Sequence, residues 1–198
     1  MDIVYRPARK EDCPKLGELD SLAGEGVLEF LLEGLVPGMT AAEVAAHDMA
    51  ENQGPRSFRN VLVAEINGKV KGMAFSFHSQ NHCITEDMRK FIPAERLTPL
   101  EAFFSTRVED SLYLDALAVD PDLQGHGVGK RLVELTKQKA LDMGLGSLSL
   151  IVFEHNQNAL GLYRKQGFQE VRQITLVIPE LLPEAEILLL MECKLAAD

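Results

Sequence analysis

The chain has few cysteines, no long apolar run and no dense run of basic residues. Its three cysteines, Cys13, Cys83 and Cys193, are scattered and odd in number, which argues against a disulfide framework and favours a reducing compartment such as the cytoplasm. The longest unbroken apolar stretch, Ile187 to Met191, is far too short to cross a bilayer. The segment from Met1 to Pro7 has no basic region leading into an apolar core, so we expect no signal peptide.

The charge balance is strongly acidic, because 30 Asp and Glu residues oppose 20 Lys and Arg residues for a formal net charge of −10. Such a chain repels nucleic acid and anionic lipid, so we expect no nucleic-acid partner and no membrane partner. The acidic field would favour the approach of a cationic substrate such as an amine, although acidity also simply keeps a protein soluble. The apolar and charged fractions, 46% and 25%, are ordinary for a globular protein and exclude disordered and fibrous classes. A length of 198 residues suits a single domain, 1–198.

The residue pattern predicts a mixed α/β fold, in which N-terminal helices and a mostly antiparallel run of strands precede strand–helix units. Strand patterns cover seven segments: Ile3 to Ala8, Asn60 to Ile66, Lys69 to His78, Ser111 to Val119, Ser147 to Val152, Phe168 to Ile178 and Glu186 to Lys194. Helical patterns cover Glu11 to Glu33 with a break at Gly24 to Gly26, Thr40 to about Met49, Gly127 to Met143, and Asn156 to about Gln166.

Local signals support several of these elements. The dipeptide Asn67-Gly68 supplies positive φ at both positions of a tight turn and predicts a hairpin. Thr40 and Glu43 have the spacing of a capping box at the start of a helix. The segment from Gln80 to Asp110 is weakly patterned apart from a helix around Leu100 to Ser105. A long irregular insertion in a compact domain is more often functional, or mobile, than a neutral spacer.

A glycine-rich turn carries most of the functional information. A buried strand ending at Val119 is followed by a short loop, three alternating glycines (Gly125, Gly127 and Gly129) and a strongly amphipathic helix. The first turn of a helix has free N–H groups and a partial positive charge, so it can hold a phosphate. Glycine lets backbone amides approach such a ligand and permits left-handed φ. The alternative is a plain loop whose glycines allow tight packing of strand on helix.

Two nucleotide-binding motifs fail on spacing. A Walker A loop needs glycine where Gln124 stands, and it needs Ser or Thr where Arg131 stands. A dinucleotide fingerprint needs a third glycine where Lys130 stands. We therefore predict that the turn binds an anion, but neither as a Walker A loop nor as a dinucleotide-binding turn.

The turn from Gln124 to Gly129 matches the motif Gln/Arg-x-x-Gly-x-Gly/Ala. A second motif, Asn-x-x-Ala-x-x-Leu-Tyr-x-x-x-Gly-Phe, is matched further along the chain by Asn156, Ala159, Leu162, Tyr163, Gly167 and Phe168. Both motifs, in this order, are those of the GCN5-related N-acetyltransferases, and the chain resembles that family strongly over roughly Tyr113 to Val171. The N-terminal half agrees with the family in element order only.

The resemblance implies an α/β acyl-CoA N-acyltransferase fold, with a mostly antiparallel sheet flanked by helices and splayed into a cleft near Val119 and Val152. It implies acetyl-CoA as the cofactor, with the pyrophosphate on the amides from Gly125 to Lys130 and the pantetheine arm paired with Leu117 to Val119. The implied cofactor-binding residues are Leu117, Ala118, Val119, Gln124, Gly125, His126, Gly127, Val128, Gly129, Lys130, Asn156 and Tyr163. The implied reaction transfers the acetyl group to a primary amine of a small molecule or peptide, by direct attack in a ternary complex. The helices from Glu11 to Met49 and the insertion from Gln80 to Asp110 would wall the acceptor site, and a homodimer stays open.

The chemistry needs a proton acceptor, because a lysine-like amine has a pKa of about 10.4 and must be neutral to attack. Asp115 is a candidate base, since it is the only charge in an apolar strand and burial would raise its pKa. The alternative is an ion-paired or edge-exposed aspartate. His78 and Glu101 are the other candidate bases, and charged or polar residues at such positions are more often plain surface residues.

The resemblance implies Tyr163 as the acid that protonates the departing thiolate. A tyrosine on the inner face of a helix can instead be plain core with its hydroxyl satisfied. Asn156 could touch the cofactor or only cap its helix.

A metal site is not expected. His78, His82 and Cys83 lack a fourth ligand at recognisable spacing, and the implied transfer needs no metal. Two other functions stay open from the sequence: a regulatory module that senses acyl-CoA without catalysis, and an interaction domain with an unused glycine turn. Neither the acceptor nor the oligomeric state can be read from the residues.

Overall fold

The computed structural model describes residues 2–51, 53–178 and 182–196, which form a mixed α/β fold. Seven strands form one sheet in the order β1-β2-β3-β4-β5-β7-β6. The strands are β1 Val4–Pro7, β2 Val61–Ile66, β3 Lys69–His78, β4 Leu112–Val119, β5 Ser147–Phe153, β6 Gln169–Ile178 and β7 Leu182–Lys194. β4 and β5 run parallel, whereas β1–β2, β2–β3, β5–β7 and β6–β7 run antiparallel. The predicted fold class, a mostly antiparallel sheet flanked by helices, is confirmed.

The described helices range from one turn to about four turns. They are α1 Cys13–Gly24, α2 Val27–Leu32, α3 Ala41–Glu51, α4 Glu86–Phe91, α5 Ala94–Leu97, α6 Glu101–Ser105, α7 Val128–Asp142 and α8 Gln157–Lys165. None of these helices is both long enough and apolar enough to span a membrane.

The chain divides into two compact units. The first comprises Met1–Phe77 and Asp115–Thr136, and the second comprises His78–Leu114 and Lys137–Asp198. Both β4 and α7 contribute residues to each unit, because the divisions fall within them. A single domain over 1–198 stays a prediction.

In the first unit, the predicted tight turn and the predicted capping box are both present. Asn67 and Gly68 have φ of 50° and 75°, and they join β2 to β3 with Ile66 opposite Lys69. The Thr40 N–H donates to the Glu43 carboxylate at 2.8 Å, while the Glu43 N–H donates to the Thr40 hydroxyl at 3.3 Å. These contacts confirm the predicted hairpin and capping box, since both motifs are completed within a few residues of chain.

The predicted break between the first two helices is also confirmed. Glu25 and Gly26 have φ of 48° and 93°, so the chain leaves the right-handed helical region between α1 and α2. α1 packs closely against α3 at Gly17, which has no side chain to hold the two helices apart. A Cβ built on Gly17 would lie 2.1 Å from the Ala42 carbonyl oxygen and 2.9 Å from the Ala46 Cβ.

In the second unit, β5 is buried along most of its length and pairs with both β4 and β7. The Ser111 and Ser149 hydroxyls hydrogen-bond to each other at 2.7 Å, which satisfies two buried polar groups between the start of β4 and β5. β7 begins at Leu182 rather than at the predicted Glu186, because its ladder with β6 continues to the pair Ile178 and Leu182.

The insertion is helical rather than irregular. The expected helix around Leu100 to Ser105 is present as α6, but α4 and α5 were missed. Thr85 caps α4 by accepting a hydrogen bond from the Met88 N–H at 3.1 Å, and Glu86 and Asp87 lie in the first turn. Such short helices lack an apolar period long enough to recognise in sequence.

We expect Gly17→Ala to destabilise the protein by about 1–3 kcal/mol, because the Ala42 carbonyl and α3 must shift to make room for the added methyl group. Gly161→Ala is the matched control. Gly161 is also within a helix, but an added Cβ there meets nothing within 4 Å. It should therefore stabilise by about 0.5–1 kcal/mol through higher helix propensity. Urea unfolding of both variants measures the difference, and equal effects would contradict this packing of α1 on α3.

Candidate functional site

The glycine turn lies between β4 and α7 in the first unit, as predicted. A 3-10 helix over Pro121–Leu123 follows β4, Gln124 is extended, and Gly125 and Gly127 have φ of 79° and 80°. A Cβ on either glycine would meet nothing within 4 Å, and the turn is exposed. These two glycines are needed for positive φ and leave their outer side open. The alternative, in which they serve tight packing of strand on helix, does not hold for them.

The close packing in this region comes from a different glycine. A Cβ on Gly72 of β3 would lie 3.1 Å from the Ala118 carbonyl oxygen and 3.5 Å from a methyl carbon of Leu132 in α7. Gly72 therefore brings β3, β4 and α7 close together, which the sequence analysis did not identify.

The start of α7 directs backbone N–H groups toward the turn, and its first-turn N–H groups have no partner within the helix. Val128, the first residue of the helix, is buried, whereas Lys130 is exposed. The Gln124 side-chain amide donates to the Val119 carbonyl at 3.4 Å, and a His126 ring nitrogen lies 3.0 Å from the Gln124 carbonyl oxygen. The turn thus presents amides and a helix N-terminus, which suit an anion.

Asp120 ties the segment before the turn to two other elements. Its N–H donates to the Lys71 carbonyl of β3 at 2.8 Å, and its carboxylate pairs with Lys71 at 2.9 Å and with Lys15 of α1 at 3.0 Å. Burial acts to raise the pKa of Asp120, but the hydrogen bonds from Lys71 and Lys15 outweigh it and the pKa is lowered. Asp120 is therefore ionised, and its ion pairs hold the segment just before the turn against β3 and α1.

β4 alternates between the core and a more open face. Ala116 and Ala118 are buried, whereas Asp115, Leu117 and Val119 are partly exposed. Side chains two residues apart on a strand share one face. The candidate base therefore lies on the same face of the strand as Leu117 and Val119.

Asp115 is ion-paired, as one of the two alternatives expected. Its Oδ2 lies 3.3 Å from Nη1 of Arg56. Burial raises the pKa of Asp115, and the nearby Arg56 guanidinium acts against that rise without reversing it. The carboxyl group therefore combines an ion pair with a raised proton affinity, and a role as base stays a prediction.

Arg56 also holds two carboxylates that the sequence analysis missed. Its Nη2 lies 3.0 Å from Asp20 in α1, and its Nε lies 3.2 Å from Asp48 in α3. Burial raises the pKa of Asp20 to about 6, against the effect of Arg56. One signal was available, because Asp20 follows Leu16 by four residues and so lies on the buried face of α1. Nothing in the sequence indicated Arg56.

Asn156 and Tyr163 lie in the second unit, as do the candidate bases His78 and Glu101, whereas Asp115 and the other predicted cofactor residues lie in the first. The Asn156 side chain accepts a hydrogen bond from the Ala159 N–H at 3.0 Å, so its capping role is confirmed. Tyr163 is buried, with its ring centroid 5.5 Å from that of Phe168. The Phe168 N–H donates to the Tyr163 carbonyl at 3.0 Å across Gly167, which has φ of 86°. The second motif thus begins with a helix cap and ends with a helix stop.

The other residues considered as bases or metal ligands take part in local structure or lie at the surface. The His78 ring accepts a hydrogen bond from the Gln80 N–H at 3.3 Å and caps a short 3-10 helix, while Glu101 is exposed in α6. His82 is buried, with its ring 4.1 Å from that of Tyr113 and Nε2 3.0 Å from the Phe103 carbonyl oxygen. Within residues 2–51, 53–178 and 182–196, no three His, Cys, Asp or Glu residues are grouped to hold a metal ion.

Comparison with known proteins assigns the family. The model of the acetyltransferase (GNAT) family matches residues 40–168, well over half of the chain. The chain belongs to the GNAT acetyltransferase family.

Three similar proteins illustrate the range of the family. A peptidyl-lysine N-acetyltransferase of Salmonella typhimurium is 46% identical over 57 residues, covering 29% of this chain and 36% of that protein. A mycothiol acetyltransferase of Catenulispora acidiphila is 32% identical over 132 residues, covering 57% of this chain and 42% of that protein. The chain thus spans well under half the length of these relatives. An acetyltransferase structure from Salmonella typhimurium with its cofactor acetyl-CoA has a TM-score of 0.63 at 19% identity, covering 100% of this chain and 96% of that one.

We expect His82 to make the folded state sensitive to acid. Burial lowers its pKa to about 4, with the Phe103 carbonyl acting against this and Arg107 adding to it, from an ordinary value of 6.5. As the pH falls, the unfolded chain therefore takes up this proton before the folded protein does. Between pH 7 and pH 5 the difference should cost the folded state about 2 kcal/mol.

The measurement compares wild type with His82→Phe, which keeps an aromatic ring and removes the titrating group. The drop in unfolding free energy from pH 7 to pH 5, measured in urea, should shrink by about 2 kcal/mol in the variant. Asp20, whose pKa is raised to about 6, has the opposite sign in this range but is common to both proteins and cancels. An identical drop in both would contradict the burial of a neutral His82.

Proposed function

We propose that this protein is an N-acetyltransferase that takes the acetyl group of acetyl-CoA and transfers it to a primary amine. The observation that carries the proposal is the turn from Gln124 to Gly129, which is exposed over Gln124 to Gly127 and whose two positive-φ glycines leave open space at the start of α7. The turn lies within the stretch that matches the GNAT acetyltransferase family.

The turn has the chemistry to hold the cofactor's diphosphate. Coenzyme A carries phosphate groups, and the helix N-terminus offers amide donors together with a partial positive charge. The amides from Gly125 to Lys130 would bind the diphosphate, and the backbone from Leu117 to Val119 would pair with the amide-containing arm. The similar Salmonella typhimurium structure contains acetyl-CoA as its cofactor, which supports the same assignment here.

Acetyl-CoA, when bound, supplies an acetyl group activated as a thioester. The protein must remove a proton from the incoming amine, whose pKa in water is about 10.4. Asp115 would accept that proton at its carboxylate, because its pKa is raised by burial and it shares a strand face with Leu117 and Val119. Tyr163 would hold a proton at its hydroxyl for the leaving group.

The acceptor class is a primary amine on a small molecule or a peptide. The net charge of −10 favours a cationic acceptor over an anionic one. A similar protein is named a peptidyl-lysine N-acetyltransferase, which supports a primary amine as the acceptor. The cytoplasmic location and the homodimer stay predictions.

Release of free CoA in the presence of a panel of amines tests the proposal. We expect turnover with at least one primary amine, and thermal stabilisation by acetyl-CoA without any amine. At a hundredfold excess over Kd, the cofactor should add about 2.7 kcal/mol to the free energy of unfolding. Stabilisation without turnover across the panel would instead support an acyl-CoA sensor, and neither effect would leave only an interaction domain.

Gly127→Glu should abolish acetyl-CoA binding, because a carboxylate would occupy the position of the diphosphate and the approach of the amides would be blocked. Gly144→Glu is the matched control. Gly144 also has positive φ, 74° against 80°, and an added Cβ there meets nothing within 4 Å, but it follows the other end of α7. Calorimetry should show no binding for the first variant and wild-type affinity for the second. Equal affinity in the two variants would remove the site from this turn.

Tyr163→Phe should lower kcat by about a hundredfold or more if the hydroxyl donates the proton, with little change in cofactor affinity. Tyr113→Phe removes another buried tyrosine hydroxyl from the second unit and should leave kcat near the wild-type value. The measurement is kcat against pH together with calorimetric affinity. An unchanged rate across the pH range in Tyr163→Phe would exclude Tyr163 as the acid.

A further inference from the structure

One guanidinium in the first unit contacts three carboxylates from three elements. Arg56 uses a different nitrogen for each: Nη2 for Asp20 of α1, Nε for Asp48 of α3 and Nη1 for Asp115 of β4. The distances are 3.0, 3.2 and 3.3 Å respectively. A planar guanidinium presents its donors in a fixed fork, so holding two carboxylates defines the direction offered to the third.

The three carboxylates differ in their access to water. The side chain of Asp20 is 8% exposed and that of Asp115 is 17% exposed, whereas that of Asp48 is 43% exposed. Water therefore solvates Asp48, and the guanidinium is the main source of stabilisation for the charges on Asp20 and Asp115. Since one positive charge stabilises these two carboxylates, which water reaches least, the ionisation of Asp20 and that of Asp115 are coupled.

Arg56 is itself held in place by its loop and by an aromatic ring. Its guanidinium carbon lies 5.4 Å from the centroid of the Phe75 ring in β3. The Asn60 side chain donates to the carbonyl of Pro55, the residue before Arg56, at 2.9 Å. The buried Ser57 that follows caps a 3-10 helix by accepting from the Arg59 N–H. The guanidinium is thus attached to an ordered loop rather than to a free chain end.

We propose that Arg56 is a positioning residue for acetyl transfer, which orients the Asp115 carboxylate and, by sharing its charge with Asp20, sets how readily Asp115 accepts a proton. This inference rests on the proposed function, in which Asp115 is the proton acceptor. Arg56 acts through Asp115 and is assigned no contact with the acceptor or the cofactor.

The sign of the effect follows from the charges around Asp115. The charged groups of this network are Arg56, Asp20 and Asp48, and Phe75 of the neighbouring strand is uncharged. Burial raises the pKa of Asp115 and Arg56 lowers it, so loss of the cation leaves burial unopposed and the pKa rises further. Loss of the negative charge on Asp20 acts in the opposite direction, because it removes a like charge and leaves Arg56 to Asp115.

The test measures kcat against pH with an amine that the wild type acetylates. The quantity compared is the pH of the acidic limb, the range in which kcat falls as the base becomes protonated. In Arg56→Gln we expect the limb to move up by about one pH unit or more. We also expect kcat to fall more than about tenfold at neutral pH while KM for acetyl-CoA stays within about twofold, since the cofactor site is not altered. In Asp20→Asn the limb should move to lower pH. Arg56→Lys keeps the charge without the fork, so the limb should stay near its wild-type position while kcat falls.

Arg59→Gln is the matched control, because it also removes a positive charge from this part of the chain. The Arg59 side chain contacts Gln53 and Ser57 rather than Asp115. Its pH profile should follow wild type. If Arg56→Gln does not fold, the shift to lower pH expected in Asp20→Asn and the unmoved limb expected in Arg56→Lys still decide the matter. A limb that stays in place in Asp20→Asn, or that moves in Arg56→Lys by as much as in a folded Arg56→Gln, would overturn the inference. A wild type that releases no CoA with any amine would overturn the proposed function itself, whereas an active wild type with an unmoved limb in folded Arg56→Gln overturns only the role of Arg56.

Discussion

The first unit depends on the close approach of β3, β4 and α7, which is possible because Gly72 has no side chain. The Ala118 carbonyl would lie 3.1 Å from a Cβ at this position, and Leu132 also approaches closely. Close packing here fixes where β4 ends relative to the beginning of α7. The glycine turn between these elements can then stay exposed from Gln124 to Gly127, because the elements on either side of it are held by packing and by the Asp120 ion pairs.

The electrostatics of this unit explain why an acidic protein can still offer an anion site. Near the turn, Lys15 and Lys71 pair with Asp120, and Arg131 pairs with Glu134. These basic side chains are therefore largely compensated by carboxylates. The positive potential at the turn then comes mainly from the helix N-terminus and its amides, whose strength depends on backbone geometry rather than on net charge.

Several of the features predicted from the sequence are formed entirely by residues that are close neighbours in the chain. The Asn67-Gly68 hairpin, the Thr40 capping box and the Asn156 cap each need contacts only two or three residues away. Longer elements such as α7 and β5 were found from their apolar pattern. The helices α4 and α5 were missed, because four to six residues carry too little periodicity to distinguish a helix from a loop.

The residues alone determined the family motifs, the turn between β4 and α7 and the identity of its glycines, because φ preference and helix capping are local properties. Only the tertiary structure decided that Asp115 is paired, and with which partner. Arg56 is 59 positions away along the chain and Asp20 is 36 positions from Arg56. No sequence period encodes such a contact, since an ion pair depends on folding that brings two side chains within a few ångströms.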